Sequence, residues 1–166
     1  AGVKDKEGRI KYQVALLEDM TEELKQAALL EALNSLMASI LGNTNIYEIA
    51  WEITKKTTGL LGLEDCIMYL LDKETDSLVQ IAAYGEKKAI GNTVINPLKI
   101  PLGKGVVGTV GQTGIAEIIT DTSKDKRNIV DDENRSSEIT VPSITEGKVI
   151  GVIDSEHRSK SCYTRD

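Results

Sequence analysis

The period of the apolar positions changes several times along the chain, and each change marks an element. Residues 8–18 (GRIKYQVALLE) place Ile10, Tyr12, Val14 and Leu16 on one face and Lys11, Gln13 and Ala15 on the other, the two-residue period of a strand. At Asp19-Met20-Thr21-Glu22 the pattern turns helical, with Glu22 and Glu23 near the positive end of the helix dipole. Leu17, Met20, Leu24 and Ala27 recur at spacings of three and four, and Leu30, Leu33, Met37 and Ile40 repeat the rhythm in a shifted phase. This predicts a long helix ending near Leu41-Gly42, whose apolar stripe suits pairing with another helix. A long helix packed only on its own domain is the alternative.

Asn45 before Ile46-Tyr47-Glu48 is an N-cap with an acidic first turn. The pattern behind it predicts a helix to about Gly62, with Ile46, Ile49, Ala50, Ile53, Thr57, Leu60 and Leu61 on one face. Residues 66–71 (CIMYLL) and 78–84 (LVQIAAY) flank the turn-rich 72–77, which predicts two antiparallel strands. A polar loop follows, then a short strand at 98–101 whose prolines suit a sheet edge. From Gly103 the chain reads GKGVVGTVGQTG, with Gly108, Gly111 and Gly114 beside Val106, Val107 and Val110. A helix that gives up roughly 1 kcal/mol per glycine must be closely packed. Residues 116–119 form a further short strand, 121–135 a polar loop or one-turn helix, and 137–144 and 149–156 a terminal hairpin turned at Glu146-Gly147-Lys148. Periodicity therefore gives an α+β fold, with about six strands in a mostly antiparallel sheet preceded by helices.

A length of 166 residues accommodates one ordinary domain and an attached segment. At 40% hydrophobic and 28% charged residues the chain carries enough apolar surface to fold. The net charge of -6, with no basic block, disfavours nucleic-acid binding. No apolar run reaches the roughly 18–20 residues that span a bilayer, and no signal peptide is present, so a cytoplasmic location without direct membrane insertion is expected. Cys66 and Cys162 stand far apart outside any ligand cluster, which argues against a zinc site or a disulfide framework. The absence of Phe leaves few aromatic faces for a planar ligand.

Residues 101–166, with PLGKGVVGTVGQTG followed by EIITDTSKDKRNIVDDENRSSEITVPSITEGKVIGVIDSEH, closely resemble the GAF sensory-domain family, and weaker similarity reaches back to about residue 30. The resemblance implies a six-stranded antiparallel sheet with helices on its back. It also implies a small-molecule pocket beneath the Gly-rich helix and the loop 121–135. The segment GRIKYQVALLEDMTEELKQAA is similar to the last strand of a PAS domain and the D-x-T junction into a signalling helix. The implied organisation is a PAS-like tail at 1–18, a linker helix at 19–42 and a GAF domain at 43–166 lacking its terminal helix, excised from a longer chain. From the pocket-facing segments of the family, Tyr69, Val107, Asp121, Arg127, Asn128, Ser137 and Glu138 are candidate ligand contacts.

Lys104 between Gly103 and Gly105 lacks the GxxxxGK[ST] spacing of a phosphate loop. The run Asp121, Asp125, Asp131, Asp132 and Glu133, with Lys124, Lys126, Arg127 and Arg135, reads as a solvated loop, or as a source of inward-turned Asp121, Arg127 or Asn128. His157 ends a strand with no nucleophile assigned beside it, and Cys66 in an apolar strand reads as a small buried hydrophobe. Cyclic-nucleotide-binding members of the family use a Phe that this chain lacks, and bilin-binding members a Cys followed by His. The free methionine sulfoxide reductases share SEITVP and GVIDSE but use cysteines in the Gly-rich helix and the following loop, where Val106, Val107 and 121–136 supply none. No cofactor or metal is required by these motifs.

The sequence reading is thus a sensory module that is not itself an enzyme. It binds an unidentified small molecule and relays through a helical homodimer to an output domain such as a histidine kinase, nucleotide cyclase or transcriptional activator. A ligand-free dimerisation spacer and a free methionine sulfoxide reductase-like enzyme are the alternatives.

Overall fold

The computed structural model describes residues 26–28, 30, 31, 34, 37, 45–85, 89, 90, 92–127 and 135–163. The chain divides into two units, 1–41 and 42–166. In the first, the described positions 26–28, 30, 31, 34 and 37 are helical and exposed, with Leu30 and Met37 more than half open to solvent. The strand expected at 8–18 lies outside the described residues.

The second unit opens with helix α1 (Ile46–Leu61). Its ends are set by local chemistry: the Asn45 side chain accepts from the Tyr47 N–H, and Gly62 closes the last turn at φ 64°. The buried face is Ala50, Trp51, Thr54 and Thr58, rotated from the one the apolar pattern indicates, while Ile46, Leu60 and Leu61 are exposed. Burying two threonines is tolerable because their hydroxyls donate to carbonyls one turn back, Thr54 to Trp51 and Thr58 to Thr54. Hydropathy alone cannot anticipate that.

The main sheet contains β1 (Asp65–Asp72), β2 (Ser77–Gly85), β5 (Lys99–Pro101), β6 (Glu117–Ile119), β7 (Ser137–Thr145) and β8 (Lys148–His157). Its order is β5-β2-β1-β8-β7-β6, antiparallel throughout, with the Pro101 strand at an edge as expected. A small hairpin, β3 (Ala89–Ile90) with β4 (Thr93–Val94), occupies the segment expected to be loop. One face of the sheet packs Met68, Leu70, Ile81 and Ala82 against Ala50 and Trp51 of α1. The other packs Ile67, Tyr69, Leu78 and Val152 against Val107 and Val110 of α2 (Gly105–Thr113). The glycines of α2 allow this approach, since a Cβ at Gly108 would strike the Pro101 carbonyl and one at Gly111 would sit 2.6 Å from Leu78 Cδ1.

The β7–β8 register changes along the hairpin. Near the turn Thr145 faces Lys148 and Ile144 faces Val149, but beyond an irregularity at Ser143/Ile144 the partner of Ser143 is Gly151. Ile150 is the extra residue, and the shift puts Glu138 opposite Glu156 and Thr140 opposite Asp154. Among the described residues no helix is long and apolar enough to cross a membrane.

A methyl group tests this packing in two places. Gly151→Ala would drive a Cβ into the Tyr69 carbonyl across the β8–β1 pair. It is expected to lower stability by about 1–3 kcal/mol. Gly59→Ala in α1 meets nothing within 4 Å and is expected to raise stability by about 0.5–1 kcal/mol. Urea midpoints separate the two, and equal midpoints would contradict the packing described.

Candidate functional site

Side chains two apart on a strand share a face, so the register places Glu138 and Thr140 of β7 beside Asp154 and Glu156 of β8 on the α2 side of the sheet. Across β8, Ile67 of β1 pairs with Asp154, and Tyr69 pairs with Val152. These residues floor a recess of about 40 Å³, roofed by Gly105, Val106 and Val107 at the start of α2 and walled by Leu98 and Ile100. The lining carries three carboxylates, Glu138, Asp154 and Glu156, and among the described residues no Lys, Arg or His. Their exposures are 4%, 2% and 8%. Among the described residues no group of three His, Cys, Asp or Glu side chains is arranged to hold a metal ion.

Burial, reinforced by the Glu156 charge, pushes the Glu138 carboxyl up to about 7. Burial also raises Asp154 well above the usual carboxylate range, with Glu138 and Glu156 adding to the effect. The Thr140 hydroxyl lies 2.7 Å from Asp154 Oδ1 and 3.1 Å from Glu138 Oε1, bridging the two acids. Behind the recess the strand ends are clasped together. Arg135 pairs with Glu64 at 2.9 Å and lies 3.8 Å from Asp65 Oδ2, while Asp65 Oδ1 accepts the Glu156 N–H at 2.8 Å. The Ser155 hydroxyl donates to the Asp65 carbonyl at 2.7 Å, and the Thr122 hydroxyl donates to the Arg135 carbonyl. Arg135, a basic residue of the polar loop in the sequence, is thereby held at the Glu64–Asp65 corner.

Of the residues singled out in the sequence, Tyr69, Val107 and Glu138 line the recess. Asp121 lies in an open groove with Lys124 and accepts from Lys160 Nζ at 2.9 Å; the Ser123 hydroxyl and Lys160 hold its carboxyl far below the usual range. Arg127 is engaged by Glu117 at 2.6 Å and Asp125 at 2.7 Å, which keep its guanidinium charged. The Ser137 hydroxyl donates to the Ser159 carbonyl at 2.7 Å. Asn128 lies outside the described residues. Asp154 and Glu156 were missed, although the alternation in SEIT and VIDSE, with acids and a hydroxyl at every second position, carried the signal. Cys66 is fully buried, on the face of β1 opposite Ile67 and Tyr69, and burial followed by the Asp154 and Asp65 charges pushes its thiol up to about 12. His157 Nε2 sits 3.3 Å from Glu64 Oε1 in the clasp.

No family model matches the chain. Protein YtsP of Bacillus subtilis is 33% identical over 87 residues, covering 48% of this chain and 53% of that protein. The free methionine-R-sulfoxide reductase of Saccharomyces cerevisiae is 45% identical over 56 residues, 33% of this chain and 31% of the yeast protein. The chain thus spans about half, or less, of the curated relatives it matches. The GAF domain of an Acinetobacter phosphoenolpyruvate-protein phosphotransferase superimposes with a TM-score of 0.72 at 20% identity, covering 82% of this chain and 81% of that one. Solved free methionine-R-sulfoxide reductases share the same architecture. The expectation that the chain is not an enzyme is therefore corrected: its relatives and structural neighbours include an enzyme. Cysteines missing from two expected positions exclude one thiol arrangement, which is a narrower conclusion than the sequence reading drew. The six-stranded antiparallel sheet with its helices is the GAF fold.

The electrostatics predict an unusual stability profile. Glu138 ionises near 4.5 when unfolded and near 7 when folded, so the folded state binds more protons between those values. Stability then falls as pH rises from about 4.5 to about 7 and levels off above. Glu138→Gln is expected to stabilise the protein by about 1–3 kcal/mol at pH 8 and by less than about 1 kcal/mol at pH 4. Denaturant titrations at both pH values check this, and an equal effect at both would contradict the burial argument.

Proposed function

We propose that the chain is a small-molecule-binding GAF module whose recess takes a ligand bearing one positively charged group, such as an amine or free amino acid. The observation that carries this reading is the set of three buried carboxylates in one lining, with no Lys, Arg or His beside them among the described lining residues. Buried like charges are costly to retain, and a ligand ammonium meets them with charge-assisted hydrogen bonds. The apolar wall of Ile67, Leu98, Ile100, Val106 and Val107 suits an aliphatic remainder on the same ligand. The family resemblance extends the proposal to a longer signalling chain, with a PAS-type domain before the module and an output domain after it. There, occupancy biases a homodimeric helix through the ligand's differential affinity for two states. The exposed Leu30 and Met37 of the described helical positions support that pairing.

A second reading is favoured by the yeast relative, whose name assigns it free methionine-R-sulfoxide as substrate. In that reading the recess binds the same class of ligand and reduces it at the expense of a thiol. A thiol-coupled assay on free L-methionine-R-sulfoxide discriminates: turnover lost in Cys66→Ser or Cys162→Ser supports the reductase, and saturable binding without turnover supports the sensor.

Thermal shift with a panel of alkylamines, amino acids and dicarboxylates tests the common element. Ammonium compounds are expected to raise the Tm and dicarboxylates to leave it unchanged. Asp154→Asn is expected to weaken ammonium binding by about 10–100-fold, the loss of one charge-assisted hydrogen bond. Stabilisation by dicarboxylates alone would overturn the reading. Light scattering of the full chain tests the relay: a dimer that Leu30→Asp with Met37→Asp turns into a monomer is expected, and a monomer at high concentration contradicts it.

A further inference from the structure

The placement of Thr140 says something about the recess before any ligand arrives. A hydroxyl has one hydrogen, and that of Thr140 lies within hydrogen-bond distance of two carboxyl oxygens, Asp154 Oδ1 at 2.7 Å and Glu138 Oε1 at 3.1 Å. It donates to one of them. The hydroxyl can share its hydrogen weakly with the second, but two buried carboxyls this close to one oxygen are best accommodated when that second one carries a proton and donates to the hydroxyl oxygen.

Among the described residues, the charged groups nearest the pair are mostly acidic. Glu156 faces Glu138 across the β7–β8 pair. From β1 come Tyr69 in the lining and Asp65, already receiving the Glu156 N–H and lying near Arg135, with the Cys66 thiol on the reverse face. From the loop after β6 comes Asp125, which raises Glu138 further and is itself paired with Arg127 and hence linked to Glu117. At the roof, Lys104 caps α2 but is exposed. Arg135 pairs with Glu64 at 2.9 Å and lies 3.8 Å from Asp65 Oδ2.

We propose that Glu138 and Asp154 share one proton in the unliganded protein, and that a monocationic ammonium ligand binds by displacing it, so that each ligand taken up releases one proton to solvent. This rests on the cationic-ligand reading above. In the exchange the shared O–H bond breaks, its electron pair stays on the carboxylate, the proton passes to buffer, and the ligand N–H groups take up the vacated contacts. The net charge of the recess is unchanged, so the module reads the ratio of ammonium to proton and not ammonium alone. The raised proton affinity of Glu138, at about 7, puts the working range around neutrality, and burial raises Asp154 in the same direction.

Isothermal titration of the full chain with methylammonium chloride, in buffers of low and high ionisation enthalpy, counts the protons. Close to one proton released per site is expected at pH 6, falling towards zero by pH 8.5. Affinity is expected to rise about tenfold per pH unit between pH 5 and 6.5, then level off. Glu138→Gln, whose amide can donate to Asp154 without a proton, is expected to abolish both the release and the slope. Saturable binding with the same heat in every buffer at pH 6 overturns the proton exchange while leaving the cationic-ligand reading intact. No saturable binding of methylammonium at any pH overturns both.

Discussion

Everything distinctive about this molecule depends on a one-residue shift in the pairing of β7 with β8. The tight turn at Glu146-Gly147 sets one register, and the extra residue at Ile150 changes it before the strands reach the core. Had the turn register continued, Glu138 would face Ser155, and Thr140 would face Ile153. Because a strand's side chains alternate, one step decides which residues stand opposite one another across the pair. The observed register sets Glu138 against Glu156 and Thr140 against Asp154, a cross-strand arrangement of like charges that a sheet ordinarily avoids.

Retaining that arrangement takes support from elements with otherwise unrelated roles. The sheet is anchored on its reverse face by Ala50 and Trp51 of α1. On the near face, α2 comes close enough to roof the acids only because Gly108 and Gly111 present no side chain to Pro101 and Leu78. The Glu64–Asp65–Arg135 corner ties the beginning of β1 to the end of β8, and it holds Arg135 where its charge is already matched. A salt bridge from Arg135 into the recess would relieve the acids, whereas this side chain pairs with Glu64 and Asp65.

Much of the architecture was legible in the sequence because local chemistry fixed it. Asn45 and Gly62 mark α1 to within a residue, and the turn-rich 72–77 and 145–148 mark two hairpins. Glycines every third residue beside valines announced a closely packed helix, and Gly105–Thr113 is that helix. The hidden features were those that need a partner to be seen. Thr54 and Thr58 turn inward because backbone carbonyls satisfy them, so the apolar pattern pointed to the wrong side of α1. Of the site, Tyr69, Val107 and Glu138 were found from the segments that carry the resemblance. The alternation in VIDSE carries Asp154 and Glu156, but which residues of β7 they face is decided by the bulge, since the turn implies a register one residue away from the real one. Arg127 and Asp121 looked like ligand contacts until Glu117, Asp125 and Lys160 were seen to engage them.

The account rests on carboxyl groups kept partly neutral by burial and by one another. Carbon-13 NMR of the Glu and Asp side-chain carboxyls, followed through a pH titration of the unliganded chain with Glu138→Gln and Asp154→Asn for assignment, observes that state directly. A Glu138 signal moving with a midpoint near 7 is the predicted result. A Glu138 carboxyl titrating near 4.5 while the fold is intact would contradict the central claim.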